Sequence, residues 1–144
     1  MKILPKIGTD IIKFGVTEDE AFKILGKTDK TYITDGENKR VQFYSRKIEL
    51  SFEPENDNRL GWIEVHDPEA ELYECNPIGM VQNEVLDIIT SELGEEPKIE
   101  DYDSFVSATY DNNWVECIFS FGCLTNINLG VAYDEFDNPQ WPNP

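Results

Sequence analysis

Residues 47–53, "KIELSFE", alternate without interruption: Ile48, Leu50 and Phe52 fall on one side, Lys47, Glu49, Ser51 and Glu53 on the other. A strict period of two suits a strand that is buried on one face and wetted on the other, and such strands belong to antiparallel sheets. "VQFYS" (41–45) precedes this segment, and "LGWIEVH" (60–66) follows it beyond the loop "PENDNR". In the third segment Ile63 and Val65 share one face while Trp62, Glu64 and His66 share the other.

Upstream, "FGVTEDEAFKILG" (14–26) predicts a short helix over about residues 17–25. Thr17 and Glu20 have capping-box spacing, so each side chain can satisfy the other's free backbone N–H. Val16 and Ala21 can staple the first turn, Ala21, Ile24 and Leu25 form the inner stripe, and Gly26 ends the helix.

The same order returns about 65 residues later. "IGMVQNEVLDIITSELG" (78–94) supplies a helix that closes on Leu-Gly, and "SFVSATY" (104–110) a first strand. "WVECIFSF" (114–121) then alternates Val115, Cys117, Phe119 and Phe121 against Glu116, Ile118 and Ser120, and "LTNINLGVAY" (124–133) ends the set. Leu60-x-x-Ile63-x-Val65 matches Leu124-x-x-Ile127-x-Leu129, and Ser51-Phe52 matches Ser120-Phe121. The expectation is a single α+β domain, 1–144, made of two tandem helix–β-meander repeats, about 7–66 and 73–134, with a Pro-rich tail at 135–144. Its antiparallel sheet would carry both helices on one face.

Charge narrows the function. Acids number 29 against 12 bases, a net charge of −17, which repels phosphate backbones and so argues against a nucleic-acid partner. It favours fast association with a basic protein instead. Residues 1–15 show no signal-peptide apolar region or lipidation motif, and no apolar run reaches membrane-spanning length. The three cysteines form no CxxC pair. The expected protein is cytoplasmic, off the membrane, and a monomer or weak dimer.

Conventional chemistry finds little support. His66 is the single histidine, and no phosphate loop, dinucleotide fingerprint or zinc spacing occurs. Residues 53–64 imitate a calcium loop but place Asn58 where that loop needs glycine. No catalytic residue, metal or cofactor is expected. The informative feature is the sheet face turned away from the helices. It would display Tyr44, Glu49, Ser51, Trp62, Glu64 and His66 from the first unit, and Tyr110, Trp114, Glu116, Ile118, Ser120, Asn126 and Asn128 from the second. Aromatic anchors among carboxylates make a surface suited to Arg and Lys on a partner. The tail, with Phe136 and Trp141, is a candidate lid over Trp62 and Trp114.

The tandem unit resembles β-lactamase inhibitory protein and the small outer-membrane assembly lipoproteins of the SmpA/OmlA type. The resemblance rests on Gly15, Thr17, Glu20, Leu25 and Gly26, then Gly79, Glu84, Leu93 and Gly94. In size and acidity the chain also resembles the cytosolic immunity proteins that neutralise bacterial polymorphic toxins. The resemblance implies a non-enzymatic inhibitor that occludes the active site of a basic toxin domain. An adaptor or assembly module with the same repeat remains an alternative, as does an enzyme built on clustered carboxylates.

Overall fold

A computed structural model describes residues 1–143; Pro144, the end of the expected tail, lies outside the described residues. The chain begins with a small hairpin, β1 (Ile3–Leu4) and β2 (Gly8–Thr9), followed by helix α1 (Glu18–Leu25). Four strands come next: β3 (Lys30–Ile33), β4 (Lys39–Phe43), β5 (Ile48–Glu53) and β6 (Arg59–Val65). Helix α2 (Gln82–Leu93) leads into β7 (Lys98–Asp101), β8 (Val106–Tyr110), β9 (Val115–Ser120) and β10 (Cys123–Gly130). The last eight strands form one antiparallel sheet, ordered β3-β4-β5-β6-β10-β9-β8-β7. The fold is α+β, with two helices and a large antiparallel sheet.

Alternation sorts the sheet's side chains as the sequence predicts. Ile48, Leu50, Phe52, Ile63 and Val65 join Cys117, Phe119, Ile127 and Leu129 in one core, with Ala21 and Leu25 from α1 and Val85 and Ile89 from α2. Burial of this apolar surface is the main force holding helices to sheet. Cys117 is a free thiol inside that core, and burial pushes its pKa up to about 12.

Each helix is tied to the sheet through the residues just before it. Gly15 N–H donates to Leu60 O and Leu60 N–H to Val16 O; Gly79 N–H donates to Leu124 O and Leu124 N–H to Met80 O. Both glycines have positive φ, 96° and 99°, where a side chain would be strained. The capping box of Thr17 and Glu20 is present, whereas Val81 caps α2 without a side-chain hydrogen bond.

Several expectations need correction. Each half has four strands where the sequence reading finds three, because β3 and β7 lie outside the segments it names. Phe121 does not continue the inner alternation of β9. It occupies a two-residue turn with Gly122 and is fully exposed, so Phe119 and not Phe121 is the phenylalanine of this segment that enters the core. Ile24 lies on the exposed side of α1, and Phe22 packs edge-on against Phe43 in its place. The tail runs elsewhere than expected: Trp141 lies over Gly15 near the start of α1, and Phe136 is exposed.

Candidate binding face of the sheet

The sheet face away from the helices is built from residues of opposite parity to the core. Its central row crosses all eight strands in register: Lys30, Gln42, Glu49, Glu64, Asn128, Glu116, Thr109 and Lys98. Every member is polar or charged. A second row carries Tyr32, Arg40, Ser51, Trp62 and Gly130. A third carries Asn126, Ile118, Ser107 and Glu100.

Most of the expected face residues therefore do converge. Glu49, Trp62 and Glu64 meet Glu116, Ile118, Asn126 and Asn128 across the β6–β10 seam, and His66 extends past the end of β6. Trp114 sits at the rim, its ring 5.4 Å from that of Tyr133 and its carbonyl accepting from Gly130 N–H. The rings of Trp62 and Trp114 flank Gly130. Tyr44 is exposed at the end of β4, beside Glu49 and His66. Tyr110 is a correction. It points to the helix side, is 0 % exposed, and hydrogen-bonds Thr90 of α2 at 2.8 Å, with burial pushing its pKa to about 12. Strand parity explains the difference, since Ser107 and Thr109 take the open face of β8 and Ala108 and Tyr110 the core.

The strongest electrostatic feature joins Glu49, Glu64 and Arg40. The two glutamates are direct cross-strand neighbours on β5 and β6, an arrangement that repels when both are ionised. Arg40 offsets this from β4: its Nε donates to Glu49 Oε2 at 2.8 Å, and its Nη2 donates to both carboxylates. Gln42 and Tyr32 also donate to Glu49. Burial opposes the charge of Glu49, only 7 % exposed, but the hydrogen bonds from Glu64, Gln42 and Arg40 outweigh it and hold its pKa low. Burial, and then the bond to Glu49, raise Glu64 to about 7. Glu64 thus keeps its proton well above the usual carboxylate range and gives it up around neutral pH, while Glu49 stays ionised.

On the other half, Asn128 donates to Glu116 at 2.8 Å and accepts from Asn126 at 2.8 Å. Tyr102 and Phe105, at the β7–β8 hairpin, stack with ring centroids 4.8 Å apart. Between them and the seam lies a groove of about 430 Å³, lined by Glu64, His66, Ser107, Glu116, Ile118, Asn126 and Asn128 as well as the two rings. Sequence reasoning does not find Arg40, Gln42, Tyr32, Ser107, Tyr102 or Phe105. Arg40 hides in "TDGENKR", which reads as a polar turn, and only pairing with β5 reveals it.

These features define an α+β chain with helices on one side of a broad antiparallel sheet and a largely polar, acid-bearing face on the other. No family model and no curated protein matches the chain. Among solved structures it is similar to the crystal structure of a DUF4309 family protein (YjgB) from Bacillus subtilis subsp. subtilis str. 168. That likeness has a TM-score of 0.51 at 16 % identity, over 81 % of this chain and 78 % of the other. It is a likeness of fold. Among the described residues no helix is long and apolar enough to cross a membrane.

Proposed function

We propose that this chain is a non-enzymatic inhibitory protein that docks a basic partner on the open face of its sheet. In this reading it is a cytosolic immunity protein that occludes the active site of a cationic toxin domain, akin to the inhibitors it resembles. The observation that carries the reading is Glu116 on the sheet face away from the helices, with no cation within ion-pair distance among the described residues, on a chain of net charge −17. Complementary charge raises encounter rates and selects against acidic partners. Trp114 at the rim supplies apolar area of the kind that anchors interfaces.

The same proposal includes a duplicated scaffold. Its support is the repeated bonding of Gly15–Val16 to Leu60 and of Gly79–Met80 to Leu124, each ahead of a helix and a four-strand meander. The adaptor reading draws on a separate observation, that all residues of the edge strands β3 and β7 are exposed and could receive a partner strand.

Capture assays with basic toxin domains encoded beside this gene test the proposal. The expected result is a complex that inhibits the toxin and dissociates in high salt. Inability to bind any of them, or binding that persists unchanged after charge reversal at Glu116, would overturn it.

A further inference from the structure

Counted by register, β4–β5–β6 and β8–β9–β10 place side chains on the same grid. Gln42 faces Glu49 and Glu49 faces Glu64; Thr109 faces Glu116 and Glu116 faces Asn128. Two residues along each strand, Arg40 faces Ser51 and Ser51 faces Trp62, while Ser107 faces Ile118 and Ile118 faces Asn126. Ser107 therefore occupies the grid position of Arg40.

The two halves differ in what fills that position. In the first, a guanidinium spans Glu49 and Glu64. In the second, the side chain ends at a hydroxyl, and the groove of about 430 Å³ opens beside it. Ser107, Asn126 and Asn128 are buried at its floor, and the more exposed Tyr102 and Phe105 form its rim. Glu116 stands in the place of Glu49. Its Oε1 accepts from Asn128, and among the described residues no cation lies within ion-pair distance of it.

We infer that this groove is a guanidinium-binding subsite, filled by an arginine side chain of the protein partner. The inference rests on the proposed docking of a basic protein on this face. The arginine would reproduce between chains what Arg40 does within one. A planar guanidinium can pair side-on with the Glu116 carboxylate and lie against the rim rings, two contacts that a lysine ammonium makes less well. The first half needs no such guest, because Arg40 already holds its carboxylates.

The test uses the full chain and acetyl-arginine methylamide as probe, followed by amide NMR, with acetyl-lysine methylamide as comparison. The expected shifts cluster at Ser107, Glu116, Ile118 and Asn126, and the lysine probe binds several-fold more weakly. Ser107→Arg should abolish the response by placing a guanidinium in the groove from within. Glu116→Gln, which can keep an acceptor for Asn128, should weaken the probe about tenfold. Shifts spread evenly over the acidic surface, equal responses to both probes, or no response would overturn the subsite. A responsive groove on a chain that captures no basic protein would discard the docking reading and keep the subsite. Capture of a partner by a chain with an unresponsive groove would do the reverse.

Discussion

Glu49 and Glu64 face each other with one arginine between them, and the sign of each pKa shift dictates how stability follows pH. Glu64 binds its proton more tightly folded than unfolded, because burial disfavours its charge. Its contribution is fully present below its ordinary value of about 4.5 and is lost as pH rises through about 7. Glu49 runs the other way: its contribution is present above that ordinary value and is lost as strong acid protonates it. Stability from the pair therefore peaks near its common ordinary value and declines toward mild alkali. Urea unfolding of the wild type should lose about 1–2 kcal/mol between mildly acidic and mildly alkaline buffer. Glu64→Gln should remove most of that loss, and an identical decline in the variant would mean that Glu64 is not its source. Arg40→Ala should be harsher at neutral pH, costing about 2–4 kcal/mol, because it strands the buried charge of Glu49. Denaturation of that variant in acid should recover part of the loss, as protonation relieves the pair.

At the scale of single elements, the β9–β10 hairpin carries an avoidable cost. Phe121 and Gly122 form its two-residue turn with φ of 53° and 80°, the left-handed pair that favours Asn-Gly. A phenylalanine there is strained and fully exposed. Phe121→Asn should stabilise the protein by about 0.5–1 kcal/mol, read from the thermal midpoint. No gain would mean that the left-handed backbone at Phe121 holds no strain that asparagine relieves.

The same hairpin shows why sequence reading stops where it does. Val115, Cys117 and Phe119 announce β9 through burial, but Phe121 keeps the parity for one step after the strand has ended, and periodicity has no means of marking a turn. β3 and β7 are the opposite case. As edge strands exposed at every residue, "KTYI" and "KIED" carry no buried stripe, so only hydrogen bonding to β4 and β8 defines them. The capping box of α1 was legible because its chemistry is local. The binding face was half legible: parity gave Glu49, Glu64, Glu116 and Asn128 of its central row, whereas Arg40 in the second row required knowledge of pairing between strands.

At the scale of the whole molecule, β6 and β10 join the two halves through main-chain pairing of Ile63 with Leu129 and of Val65 with Ile127, all fully buried. The seam makes one continuous face from carboxylates that lie far apart in sequence, so partner recognition and net charge can be separated experimentally. If the face steers docking, Glu116→Lys should slow association with a captured basic protein by more than tenfold at low salt. Asp19→Lys changes the net charge equally, but at an exposed position of helix α1 behind the sheet, and should slow it only a few-fold. Raising salt should shrink both effects, since screening acts within about 10 Å at ~0.1 M. Stopped-flow association rates at several salt concentrations distinguish the cases. Equal slowing by the two reversals would mean that overall acidity alone draws the partner in, and the face would lose its claim to the docking site.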